Sequence, residues 1–493
     1  MSNLRVSGFR GFFGGVTAVA LVSAVGCTTL ETISADVSVT PSSRPVTAEN
    51  VRGGRLAAIG AQQHPRILAA YGGEYSDVKL ERMVANIVGR LVTVSDNPSQ
   101  VYQISILDSP VINAFALPGG YLYVSRGLLA LANDGAELAA VIAHEMAHVT
   151  AQHGIKRQRK EEEAVLASRV VTEVLADKNA GRRALARGKV ALAQFSRNQE
   201  LEADAIGISA LNEAGFDPYA AARFQQTMDA FSKLNGAGDA ADNSLDFLST
   251  HPSTPQRIQL ALGHARKYGA PGSGDADRES YLLGLDGMLF GDSPNEGYVR
   301  DQTYAHVGLG IALDFPPGFQ VENRPEAVLG ARPDGAAIRF DGADVPANQP
   351  LATYLASGWV EGLDASTVRA TRINGLDAAT ARALVGRWAF DITVFRVGSE
   401  VYRILTAVPA PGSELEALAN EVRSTFRALS EAESASFQPL RVRIVRADEG
   451  ETVEQLARRM NSFGDSEGAF RIFNGMNRAD RVVPGQLYKI VSQ

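Results

Sequence analysis

The sequence predicts a multidomain α+β protein, and three observations carry that reading. The 493 residues exceed one ordinary domain, so two to four are expected. Helical periodicity dominates from about Val51 to Tyr268, whereas alternating apolar and polar residues, the mark of strands, recur from about Tyr304 to Leu429. After about Leu440 the chain runs strand, helix start, second short helix, Pro-Gly turn and strand. The expected architecture is a mainly helical domain with a small β-hairpin or sheet at 51–270, a connector at 271–303, an α+β domain at 304–430 and a small βααβ module at 438–493.

The charge balance is mildly acidic, 48 Lys+Arg against 55 Asp+Glu, with no basic stripe. Nucleic acid is therefore not expected as a partner. Arg5 and Arg10 precede an uncharged run, Gly11 to Val25, that fits a secretory signal over residues 1–26. Ala24-Val25-Gly26 before Cys27, the one cysteine, resembles a bacterial lipoprotein cleavage box with Ala24 where Leu is usual. That resemblance implies acylation of Cys27, a Ser/Thr/Pro-rich tether over 27–50 and a periplasmic protein anchored in a membrane. Thr28 in place of Asp points to the outer one. Ordinary cleavage that leaves a spare thiol is the other reading.

Asp134 to His153 reads as one helix. Asp134 caps it, Glu137 at the third position completes a capping-box pattern, and Gly154 stands at the expected C′ position. On it lies His144-Glu145-Met146-Ala147-His148. Residues four apart share a helix face, so both imidazoles reach one metal ion. Glu145 points about 100° round, where it can take a proton from metal-bound water. Two histidines and an oxygen ligand suit one zinc ion per chain.

A longer zinc motif, HExxHxxGxxH, is excluded, because Ala151 and Gly154 occupy the places of its glycine and third histidine. His153, five residues beyond His148, is expected to point away from the metal. A second helix, ending near Gly215, carries Glu200, Glu202 and Asp204. Glu200 and Asp204 share one face and Glu202 the opposite one. Spacing leaves two readings: one carboxylate on the metal with the other orienting a ligand histidine, or a solvated acidic helix.

Asn113-Ala114-Phe115-Ala116-Leu117-Pro118-Gly119-Gly120-Tyr121 reads as an edge strand, a turn and a returning strand. An edge strand at Asn113, Ala114 and Phe115 beside a metal site can pair with an extended peptide through backbone hydrogen bonds; an ordinary hairpin has the same pattern. Further on stands Ser249-Thr250-His251-Pro252-Ser253-Thr254-Pro255-Gln256-Arg257. Its His251 either reaches the metal or packs the loop on the helix, and Arg257 is placed to anchor the loop or meet a carboxylate.

These segments, over about Val51 to Tyr268, resemble the CaaX-prenyl-protease/HtpX-like zinc peptidases, and especially their periplasmic BepA-like branch. The resemblance implies a gluzincin-type fold, Zn²⁺ held by His144, His148 and Glu200, and catalytic roles for Glu145 as base and Asp204 as proton donor or orienting group. It also implies that His251 gates the zinc. The implied activity is zinc-dependent endopeptidase cleavage of unfolded or misassembled envelope proteins. The alternative is an envelope assembly chaperone or scaffold whose zinc site is closed or structural.

In the α+β stretch, Leu309, Ile311, Leu313 and Phe315, then Ile392 and Val394, give strand signals, while Leu351 to Gly362 and Glu414 to Leu429 read as helices. Pro316-Pro317-Gly318-Phe319 and Ser424-Thr425-Phe426-Arg427 resemble PsbP/Mog1-like domains. In the last unit Thr452-Val453-Glu454-Gln455 is a capping box. With Asn474-Gly475 and Pro484-Gly485-Gln486 the unit is similar to LysM modules, which implies a peptidoglycan partner. The stretch Phe463 to Gly468 departs from that pattern, and protein contact is the other use of such a unit.

Overall fold

The computed structural model describes residues 55–117, 119–175, 178–234, 247, 251–460 and 465–493. The expected signal, Cys27 and the tether lie outside the described residues, as do Pro118, Ser249, Thr250 and Phe463. No helix among the described residues is long and apolar enough to cross a membrane. The described residues divide into two units, one of residues 292–439 and the other of residues 55–291 together with 440–493.

The unit that carries the HExxH segment begins, among the described residues, with helices α1 (Arg55–Ala70) and α2 (Val78–Thr93). Asp77 caps α2 by accepting the Lys79 and Leu80 N–H groups, and Leu80, Val84, Ile87, Val88 and Leu91 form its buried stripe. Strands β1 (Gln103–Leu107), β2 (Ala114–Leu117) and β3 (Tyr121–Ser125) form a sheet of order β1-β3-β2, parallel in the first pair and antiparallel in the second. The expected strand, turn and return at Asn113 to Tyr121 is thus a hairpin. Gly120 there takes φ +84°, and a Cβ on it would meet the Val101 carbonyl oxygen at 2.3 Å.

Helices α3 (Arg126–Leu131), α4 (Gly135–Thr150), α5 (His153–Leu175), α6 (Lys178–Glu213), α7 (Ala220–Leu234), α8 (Pro255–Ala265) and α9 (Arg278–Leu285) follow, then strand β4 (Leu289–Phe290). α4 is the motif helix. Asp134 accepts the Glu137 N–H at 2.8 Å, as expected of its cap. The Glu137 carboxylate reaches back one residue further than a capping box would, to the Asn133 N–H at 2.9 Å.

The far end of α4 differs from the sequence reading. The helix stops at Thr150, and the left-handed residue is Gln152, at φ +56°, not Gly154. A new helix then starts at His153.

Residues 292–439 carry β5 (Tyr298–Arg300), β6 (Thr303–His306), β7 (Ile311–Asp314), β8 (Gln320–Arg324), β9 (Ala327–Ala331), β10 (Ala337–Ala343), α10 (Leu351–Leu355), β11 (Leu363–Ile373), β12 (Leu376–Val385), β13 (Trp388–Val397), β14 (Glu400–Pro409), α11 (Leu415–Thr425), β15 (Arg427–Ala428) and α12 (Glu431–Ser436). A seven-stranded sheet runs β11-β12-β13-β14-β10-β9-β8, and a four-stranded one β15-β7-β6-β5. Along β13 the period of two sends Ile392 and Val394 to one core with Leu351 and Leu355, and Phe395 to another with Leu418, Val422 and Phe426. The helix expected from Glu414 to Leu429 ends at Thr425, because Arg427 and Ala428 pair with β7 instead.

The chain then returns to the first unit as β16 (Leu440–Arg446), α13 (Val453–Ala457), α14 (Ser466–Phe473) and β17 (Leu487–Ser492), in the expected βααβ order. The Thr452/Gln455 capping box is formed on both sides. β16 pairs with β17 and also with β4, Leu440 opposite Phe290.

Two stretches read from sequence as a connector and a separate module are integrated here. Tyr281, Leu282, Leu285 and Met288 share one continuous core with Val442, Leu456, Phe470, Phe473 and Ile490, and with Leu128, Leu138 and Ile142 of the motif region. Each segment alone is too short to bury its apolar face.

Candidate metal centre

Helices α4 and α6 lie close where the site is built. Gly207 on α6 has no side chain to hold them apart: a Cβ there would lie 3.2 Å from the His144 backbone nitrogen. Their facing residues are His144, Glu145 and His148 from α4, and Glu200 and Asp204 from α6. His251, just before α8, is the third wall. His144, Glu145, Glu200 and Asp204 are buried, with Glu145 4% and Glu200 7% exposed, and His148 and His251 are half-buried.

Donor atoms of His144, His148, Glu200 and His251 all lie within 4.8 Å of one another. His144 Nε2 stands 3.0 Å from His148 Nε2 and 3.2 Å from His251 Nδ1. Glu200 Oε2 is 3.4 Å from His144 Nε2 and 2.9 Å from His251 Nδ1, and its Oε1 is 3.4 Å from His148 Nε2. Zn–N and Zn–O bonds of about 2.0–2.1 Å set the edges of a tetrahedron at about 3.4 Å, so this donor set fits zinc. The crowding of ring nitrogens and carboxylate oxygens around His144 Nε2 is what a cation would organise.

The surroundings hold these donors in place. His144 Nδ1 lies 3.1 Å from Asp204 Oδ1. Arg257 grips Asp204 with two hydrogen bonds of 2.8 Å, donates to the Pro252 carbonyl at 3.0 Å and lies 3.2 Å from Glu200. Gln225 adds a bond of 3.3 Å to Asp204. Without an ion, burial works against a charged His144, but its hydrogen bonds to Asp204 and Glu200 outweigh that and raise it to about 10. Burial opposes ionisation of Asp204 as well, yet its bonds from Arg257 and His144 hold it well below the usual carboxylate range.

Glu145 is the exception among these carboxylates, because burial raises it. Its Oε1 is buried with no hydrogen-bond partner, and His251 Nε2 is 3.5 Å away. A buried carboxylate oxygen that accepts no hydrogen bond, beside the donor set, fits a base waiting for a proton.

One sequence expectation is corrected here. His153 does not point away: the left-handed turn at Gln152 swings it under the site, where it is buried. Its Nδ1 lies 2.8 Å from His148 Nδ1, and its Nε2 3.3 Å from the half-exposed Glu202. Gln199 donates to its carbonyl at 2.8 Å. The sequence signal was present as a third histidine, but the helix break that aims it was not.

β2 is an edge of its sheet and packs beside α4. The side chains of Asn113, Ala114 and Phe115 are buried. Asn113 donates to the Tyr71 hydroxyl at 3.0 Å, and Phe115 stacks on Tyr123. Further along the strand the Ala116 and Leu117 side chains are half-buried, while both backbone groups of Asn113 are taken by Ser125.

Residues 78–265 match the family model of Peptidase family M48. Over 182 residues the chain is 33% identical to the mitochondrial metalloendopeptidase OMA1 of Schizosaccharomyces pombe, covering 36% of this chain and 50% of that protein. It is 28% identical over 260 residues to the beta-barrel assembly-enhancing protease of Yersinia pestis, covering 48% and 52%. The protein of the same name from Escherichia coli K12 is 27% identical over 352 residues, covering 64% and 69%. The match thus spans about half the length of the first two relatives.

Proposed function

Residues 78–265 form a domain of Peptidase family M48, and from that premise we propose that the chain is a zinc-dependent endopeptidase of the bacterial envelope. Its substrates on this reading are unfolded or misassembled envelope proteins. Two relatives named as beta-barrel assembly-enhancing proteases support that substrate class. The protein would act in the periplasm, held at the outer membrane by an acyl chain on Cys27.

The carrying observation is the convergence of four donors beside the buried Glu145 Oε1, which accepts no hydrogen bond and lies 3.5 Å from His251 Nε2. His144, His148 and Glu200 would hold the ion, which when bound would acidify a water and polarise the scissile carbonyl. Glu145 is placed to accept a proton from the attacking water and to pass it to the leaving amine. Asp204, gripped by Arg257, fixes the His144 ring and balances its charge. The free edge of β2 pairs with an extended substrate backbone, which gives little sequence preference.

His251 lies within the donor set, and that observation favours a second reading. Four protein donors make a closed site of the structural kind, which suits a chaperone or scaffold. The two meet if His251 is a gate that leaves when substrate enters. Peptidoglycan contact by residues 440–493 would be a further property of the same scaffold.

The test is degradation of casein or an unfolded outer-membrane protein by the 28–493 chain, with Glu145→Gln and His251→Ala and with zinc quantified in each. Cleavage by the parent or His251→Ala, and none by zinc-loaded Glu145→Gln, upholds the peptidase. One zinc per chain with no cleavage by any variant favours the scaffold.

A further inference from the structure

The C-terminal strand β17 reaches the start of the motif helix. Lys489 on that strand is 2% exposed. Its Nζ donates to the carbonyls of Ala130, at 2.8 Å, and Ala132. These carbonyls end α3, and two residues later Asp134 caps α4. Asn474 holds the lysine from behind: its side chain accepts the Lys489 N–H at 2.8 Å and donates to the Lys489 carbonyl at 2.9 Å.

The joint between the two helices is tied from other sides too. The Asn133 carbonyl accepts Arg278 at 2.7 Å, and its amide donates to Thr227 at 3.3 Å. Gly475, at φ +65°, packs on the Asn133 side chain, where a Cβ would come within 3.3 Å. Arg223 binds Asp134 at 2.8 Å and lies 3.6 Å from Glu137. Lys489 is the only lysine among the largest fully buried side chains of the described residues. Burial pushes its ammonium well below the ordinary value. The Ala130 and Ala132 carbonyls offset part of the cost of burying such a group.

We propose that Lys489 is a positioning residue for the metal centre: by clamping the joint between α3 and α4, the last strand of the chain sets where α4 starts, and so where His144, Glu145 and His148 stand. On this view residues 440–493 are a working part of the peptidase unit, built into its core, and not an appended module. The proposal rests on His144 and His148 holding a metal ion. A shift of α4 by a fraction of an ångström moves all three motif residues together, because a helix is stiff along its axis. Misplacement of about 1 Å far from the chemistry can cost roughly a hundred-fold in rate.

The experiment uses the 28–493 chain loaded with Co²⁺, whose visible spectrum reports donor geometry. It compares Lys489→Met, Lys489→Gln and a control, Leu456→Ala, which removes volume from the same core but leaves the Lys489 hydrogen bonds in place. Expected is an altered cobalt spectrum and roughly ten-fold faster metal loss in Lys489→Met, a smaller change in Lys489→Gln, which keeps an amide donor, and a parental spectrum in Leu456→Ala despite a lower Tm. Where Lys489→Met does not fold, Lys489→Gln against Leu456→Ala decides the matter.

Equal spectra in the lysine variants and the parent overturn the proposal while leaving the metal site intact. So does an equal change in the control, since that marks general loosening. A parent that binds no cobalt overturns the metal reading and this inference with it.

Discussion

Asp204 Oδ1 lies 3.1 Å from His144 Nδ1, the ring nitrogen opposite the one that faces the other donors. That contact fixes the ring's tautomer and its rotation together. Asp204→Asn keeps the shape and removes the charge. Zinc affinity is expected to fall by about ten- to a hundred-fold, with little change in fold, as read by competition with a chelator and by circular dichroism. Unchanged affinity would mean that Arg257, not His144, is the partner that matters to Asp204.

Gly207 is where α6 touches the backbone of α4. Gly207→Ala places a methyl 3.2 Å from the His144 nitrogen, and neither helix backbone yields cheaply. A loss of about 1–3 kcal/mol is expected in denaturant unfolding, with weaker zinc binding. Alanine's better helix propensity works the other way by about 1 kcal/mol, so a net gain in stability would show that the helices separate freely.

The unit at 292–439 enters after β4 and leaves before β16, and those two strands pair, Phe290 opposite Leu440. Paired strand residues lie about 5 Å apart, so a few Gly and Ser residues can join 291 to 440. The excised chain is expected to unfold cooperatively and to bind one zinc. Aggregation, or loss of zinc at equal helix content, would show that the inserted unit is needed to form the site.

Glu137 is 2% exposed, and its pKa is raised to about 7 by burial and the nearby Asp134 charge, against the pull of Arg223 and the Asn133 N–H. A folded-state value above the ordinary 4.5 means a stabilising contribution that is full below about pH 4.5 and is lost as pH rises through about 7. Glu137→Gln keeps the acceptor for Asn133 and does not titrate. The gap in Tm between variant and parent is expected to move in the variant's favour from pH 5 to pH 8. A gap that stays constant, or moves the other way, would mean that Glu137 stays ionised beside Arg223.

What was legible in the sequence was local. The HExxH spacing places His144 and His148 on one face wherever that helix goes, and Glu200 and Asp204 follow the same rule on α6. The caps at Asp134 and Thr452 were legible too, because a cap involves residues three positions apart. The β2–β3 hairpin showed itself in its glycines and alternation.

What only the tertiary structure decided depends on residues far apart in the chain. Sequence alone left open which carboxylate faces the histidines, and it aimed His153 away because it continued α4 through Gln152. It read residues 440–493 as a separate unit, although Lys489 binds carbonyls more than three hundred positions earlier. Helix period and capping are properties of a few neighbouring residues and survive any change of path. The closeness of α4 to α6, the turn at Gln152 and the seat of β17 are set by how segments share one core, and no local pattern encodes that.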